Sequence, residues 1–105
     1  MTIQIILTNI EKPYVSTTFE CEANKIIEAL DILTEKMNDP SIEENKKDYE
    51  SYELIRDNIL SGNFSTWTTY KNNNPTKVAY IELPVSEIDF EERYFALVRA
   101  RRYEN

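Results

Sequence analysis

"YVSTTFECEANKIIEALDILTEKM", residues 14–37, changes its hydrophobic period partway along. Val15, Thr17, Phe19 and Cys21 alternate onto one face, as a half-buried strand requires. Beyond Glu22, the residues Ile26, Ile27, Leu30, Leu33, Thr34 and Met37 recur at helical spacing instead. A strand therefore passes directly into a helix, expected from about Glu22 to Asn38.

Before this stretch, "TIQIILTNI" (2–10) sets Ile3, Ile5 and Leu7 at period two and adds Ile6 and Ile10, so it reads as a central strand apolar on both sides. "EKP" breaks it, making residues 2–21 a hairpin with its turn near Glu11–Pro13. After it, Ser41 and Glu44 in "NDPSIEEN" have the spacing of a capping box, in which each side chain satisfies an orphan amide of the first helical turn. A second helix is expected from near Ile42, with Tyr49, Tyr52, Ile55 and Ile59 as its apolar stripe and Gly62 as its terminator. The two helices form an αα-hairpin.

Strand patterning returns in "NFSTWTTYK" (63–71) and "KVAYIELP" (77–84), separated by the turn cluster "NNNPT". A last helix is expected with Asp89 as N-cap, Glu92 three residues on, and Phe90, Tyr94, Leu97 and Val98 on its stripe, with Phe95 at the border. A fifth strand is the rival reading, because "ERYFALVRAR" also alternates. The order ββααββα predicts a single α+β domain over residues 1–105: a two-layer sandwich with a four-stranded antiparallel sheet and helices on one face.

With 105 residues, 41% of them hydrophobic and eleven in every hundred aromatic, the chain is long enough and apolar enough to bury its own core. No apolar run reaches the roughly 18 residues of a membrane span, and the start lacks a basic signal-peptide region, so the expected compartment is the cytoplasm. Cys21, the sole cysteine, reads as a small packed side chain.

Several chemistries lack their residues. Without histidine there is no imidazole base and no histidine-containing zinc site. One glycine does not build a phosphate cradle, and no calcium loop occurs. The adjacent pairs Glu43–Glu44 and Glu91–Glu92 diverge by about 100° on a helix and do not converge on one atom. The chain is thus expected to be no enzyme and to carry no cofactor or metal.

Charge is the informative feature. The net charge is −7, and twelve acidic against five basic residues between Glu20 and Asp57 account for the whole excess. Glu28, Asp31 and Glu35 on the first helix and Glu50, Glu53 and Asp57 on the second repeat at i, i+3, i+7. Successive carboxylates then stand about 4.5–6 Å apart along the axis, close to phosphate spacing. Such ladders suit a basic partner, although solvated amphipathic helices carry similar faces. The C-terminal stretch is opposite in sign, with Arg93, Arg99, Arg101 and Arg102 within ten positions. Arg99 and Arg102 lie one turn apart, and with Trp67 and Tyr70 they are candidate secondary contacts, for another protein or for RNA. For Trp67, core packing is the leading expectation and an exposed interface anchor the alternative.

These readings favour a small acidic protein-binding module. Its partner would be a basic, nucleic-acid-handling protein whose cleft the ladders occupy, as an inhibitor or nucleic-acid mimic does; phage-borne antidefence proteins and immunity proteins of toxic nucleases are analogues in size and charge. A homodimer or larger homo-oligomer with an accessory or structural role is the second reading. An RNA-binding module using the C-terminal arginines is the third, opposed by the overall negative field; nucleic acid and membrane are not the expected partners.

Overall fold

The computed structural model describes residues 2–36, 43–62 and 64–104. Strand β1 (Thr2–Asn9) and strand β2 (Ser16–Glu22) form the expected antiparallel hairpin, in register Thr2 with Glu22 through Thr8 with Ser16. Asn9, almost fully buried, organises the turn: its Oδ1 accepts the N–H groups of Glu11 and Lys12, each at 3.0 Å, so a buried amide oxygen is satisfied locally.

Helix α1 (Ala23–Glu35) follows β2 without a linker and buries Ala23, Ile26, Ala29, Leu30 and Leu33. Ile27 and Thr34 sit at the border, and the Thr34 hydroxyl turns back to donate to the carbonyls of Leu30 (3.0 Å) and Asp31 (2.8 Å). Met37, the far end of the expected helix at Asn38, and the Ser41–Glu44 capping box with the start near Ile42 lie outside the described residues or side chains. Helix α2 (Glu43–Leu60) buries Tyr52, Ile55 and Ile59, while Tyr49 is half-buried. Gly62 stops it with φ +71°, a left-handed conformation that costs glycine nothing.

Strand β3 (Ser65–Lys71) and strand β4 (Asn74–Val85) form the second hairpin, and helix α3 (Glu87–Glu104) closes the chain, so the fifth-strand reading does not hold. The last helix begins earlier than expected. Ser86 stands immediately before it, its hydroxyl 3.2 Å from Asp89 Oδ2 and its carbonyl accepting Asp89 N–H, so Asp89 lies inside the first turn. A capping acceptor comes from elsewhere: the Glu11 carboxylate in the β1–β2 turn accepts Glu87 N–H at 2.6 Å, and Lys12 pairs with Glu87. The buried face of α3 is Ala96, Leu97 and Ala100, with Phe90 and Val98 beside it, whereas Tyr94 and Phe95 are partly exposed, the Tyr94 ring lying 5.7 Å from that of Phe19. Helix α3 meets α1 and β1, and alanines on its buried face suit a close approach of helix to neighbour.

One sheet holds all four strands, in the order β2-β1-β4-β3. The expected all-antiparallel sheet is corrected to a mixed one, because the central pair β1–β4 is parallel, with Ile5 opposite Ile81 and Leu7 opposite Leu83. Each hairpin fixes direction only within itself. The direction between hairpins depends on where α2 delivers β3, and it delivers Ser65 opposite Tyr80, level with Gln4 of β1. Apolar rows from Ile3, Ile5 and Leu7 and from Ile81, Leu83 and Val85 then lie side by side under the helices. Helix α1 meets β2, α3 meets β1 and β4, α2 meets β4, and each helix touches the other two. The opposite face of the sheet carries Gln4, Ile6, Val78 and Tyr80 and no helix among the described residues, so β1 is not apolar-covered on both sides as its sequence suggested.

Candidate functional site

The α1–α2 surface carries the carboxylate ladders. Glu28, Glu35, Glu50, Glu53 and Asp57 are exposed. Asp31 is held differently: Arg56 Nε donates to its Oδ1 at 2.7 Å, joining α1 to α2, and Arg56 Nη1 stands 3.9 Å from Asp57. One guanidinium therefore sits between the ladders and pairs with a carboxylate of each, closely with Asp31 and loosely with Asp57. Glu53 accepts from the Tyr49 hydroxyl, an interaction that raises the phenol's pKa above its ordinary value. Glu28, Glu35 and Glu50 form no ion pair among the described residues, and they leave the acidic character of this surface intact.

The arginine-rich end divides in two. Arg99 faces inward: its Nε donates to the Tyr52 hydroxyl at 2.7 Å and its Nη2 to Asp48 at 3.0 Å, with the guanidinium 5.6 Å from the Tyr52 ring. Burial raises the Tyr52 pKa above its ordinary value, and Arg99 opposes that shift without cancelling it. Arg93 donates to the buried Ser51 hydroxyl, and Lys47 pairs with Glu92 at 3.5 Å. These contacts are the polar seam between α2 and α3. Arg99 and Arg102 are thus not a shared anion clamp, since Arg102 is exposed beside Arg101, Phe19 and Tyr94 at the other side of α3. The Lys36 ammonium reaches the Tyr103 hydroxyl at 2.5 Å, tying the end of α3 to α1.

Trp67 and Tyr70 occupy a feature that sequence reading missed. Pairing of β4 with β1 starts at Ala79, whereas its pairing with β3 continues to Asn74, so residues 67–78 extend past the sheet as a two-stranded ribbon. Five residues of β4 beyond the last β1 partner project roughly 17 Å at strand rise, in keeping with a molecule 51 Å long and 31 × 23 Å across. The tip is a two-residue turn at Asn72 (φ +54°) and Asn73 (φ +65°), the paired left-handed geometry of a type I′ hairpin. Asn74, Pro75 and Thr76, expected in the turn, are therefore strand. The tandem asparagines were the available signal, since asparagine tolerates this conformation better than other non-glycine residues.

Core packing of Trp67 is overturned: it is 43% exposed and stacks on Tyr80 across the open face, centroids 4.7 Å apart at 26°. Tyr70 is 73% exposed. The ribbon's residues 67–78 contain Lys71 and Lys77 and no acidic side chain, so a segment of charge +2 projects from a body that carries the remaining −9. Between ribbon and open face lies a groove of about 440 Å³, walled by Thr2, Gln4 and Glu20 on one side and Thr69, Lys71 and Thr76 on the other.

No group of three or more metal-ligating side chains occurs among the described residues. No helix among them is long and apolar enough to cross a membrane. Comparison with known proteins finds no matching family model, curated protein or solved structure.

Proposed function

We propose that this chain is a non-catalytic protein-binding module whose acidic α1–α2 surface occupies a basic cleft of a nucleic-acid-handling protein, acting there as an inhibitor or decoy. The observation that carries the reading is the outward presentation of Glu28, Glu35, Glu50, Glu53 and Asp57 on two packed helices, with Arg56 as the cation between the rows. Helices that are already packed together present the charges without an ordering cost at binding, so electrostatic attraction goes into encounter rate and register. The partner surface is basic, and its contact with the ladders weakens as salt rises.

The test uses a basic partner recovered from the native host and then purified. Its affinity for the wild-type chain is compared with that for the Glu50→Lys, Glu53→Lys, Asp57→Lys triple variant across a salt series. The expected result is a loss of at least about tenfold in affinity, equivalent to about 1.4 kcal/mol, with a flatter salt dependence. An unchanged dissociation constant and salt slope in a folded triple variant overturns the proposal.

A further inference from the structure

The two edges of the sheet are protected unequally. Strand β2 carries Glu20 and Glu22 along its edge, charges that oppose pairing with another strand. Over the ribbon, the β4 edge is interrupted by Pro75, which has no N–H to donate, and carries Lys77. Strand β3, "STWTTYK", has neither proline nor an acidic residue, is exposed at all seven positions, and pairs only with β4 among the described residues. Its threonines, tryptophan and tyrosine are strong strand formers.

The hydrogen-bonding phase of this edge follows from the turn. A two-residue type I′ loop makes Lys71–Asn74 a hydrogen-bonded pair, so the pairs alternate inward from it. Residues Thr66, Thr68 and Tyr70 then direct their N–H and C=O groups away from β4. Pro75, opposite Tyr70, falls at an outward position on its own strand, where the missing N–H costs the hairpin nothing.

We infer that β3 is a self-association strand: two copies of this chain pair antiparallel through their β3 edges about a two-fold axis at Thr68. That register maps the outward set onto itself, setting Thr68 against Thr68 and Thr66 against Tyr70 of the other copy, for on the order of six backbone hydrogen bonds. Trp67 faces Thr69, with the two Trp67 rings diagonal on one face, an arrangement that favours cross-strand packing. Lys71 falls opposite Ser65, so no like charges meet. Because the ribbon projects beyond β1, the acidic bodies stay apart while the strands pair. The contact is isologous and consumes the free edge, which closes the assembly at two copies. It uses none of the helix carboxylates and stands independently of the proposed partner site.

Sedimentation of the full chain at about 50 and about 500 mM NaCl tests this, because salt screens the repulsion between two acidic bodies but does not dissolve strand pairing. The expected result is a dimer at least as stable at high salt as at low. Thr68→Pro removes an outward N–H that the monomer does not use, and Thr68→Lys places two ammonium groups across the axis; each weakens dimerisation by at least about tenfold. The Glu50→Lys, Glu53→Lys, Asp57→Lys variant, by contrast, does not weaken it. A chain that stays monomeric up to about 0.5 mM, well into the range of weak contacts, overturns the inference. So does a dimer that neither Thr68 variant weakens, or one that high salt dissociates, the last being the behaviour of a basic ribbon docked on acidic helices.

Discussion

Arg99 offers a quantitative check on the α2–α3 seam, because its two partners differ in burial. Tyr52 is 3% exposed and its hydroxyl receives Arg99 Nε, whereas the Asp48 and Arg99 side chains are 40% and 38% exposed where they pair. Replacing Arg99 with methionine keeps much of the stem but leaves the Tyr52 hydroxyl in a buried position without this partner, at a cost of about 1–3 kcal/mol. Loss of the half-exposed pair with Asp48 adds only about 0.2–1 kcal/mol, since solvent already screens it. Tyr52→Phe alone leaves Arg99 able to keep Asp48 and to hydrate its Nε, so it costs about 0.5–1.5 kcal/mol. In the double variant no hydroxyl remains to be stranded. The two losses are therefore less than additive, with a coupling of about 1 kcal/mol in a double-mutant cycle. Urea unfolding of the four proteins, with equal m-values, measures it. An Arg99→Met protein within about 0.5 kcal/mol of wild type, the usual range for a neutral surface change, or a coupling of zero, refutes the assignment of Arg99 as a structural cation.

Two further outcomes follow from local geometry. Gly62→Ala meets no neighbouring atom within 4 Å, so its whole cost is the left-handed backbone, about 1–2 kcal/mol; Gly62→Asn loses less, and thermal unfolding of the two variants gives the order. At alkaline pH, Tyr52 has a folded-state pKa above its unfolded value, so its contribution to stability is fully present below the unfolded value near 10 and is lost as pH rises through the folded one. Phenolate absorbance is expected to show two late-titrating tyrosines, the Glu53-bound Tyr49 and the buried Tyr52, with ionisation of Tyr52 accompanying loss of structure; wild-type stability that rises over that window contradicts the burial of Tyr52.

Much of the architecture was legible because it is written in short-range periodicity. The switch of period after Cys21, the apolar spacing of Tyr52, Ile55 and Ile59, and the single glycine at 62 each specify an element from neighbours a few residues away. On α3 the expected Phe90, Leu97 and Val98 do pack in or against the core, but Tyr94 is partly exposed, and Ala96 and Ala100, too weakly hydrophobic to stand out by periodicity, complete the buried face. Close helix packing favours such small side chains. Of the candidate site residues, Glu28, Glu35, Glu50, Glu53 and Asp57 lie on an exposed surface, while Asp31 and Arg99 are engaged by Arg56 and by Tyr52 with Asp48. Helical spacing places a charge on a face. It does not say which opposite charge a neighbouring helix brings to that face.

The amino-acid order alone determined the first six elements, their succession and the concentration of negative charge on the helical hairpin, since each depends on residues close in the chain; it left the last stretch between helix and strand. Tertiary structure decided the parallel join of β1 to β4, the offset that sends residues 67–78 beyond the sheet as a basic ribbon, and the exposure of Trp67. The reason is physical: strand pairing across a long connection is set by where packed helices deliver the chain, and alternation of side chains is the same in a strand that is covered and in one that extends past its neighbours.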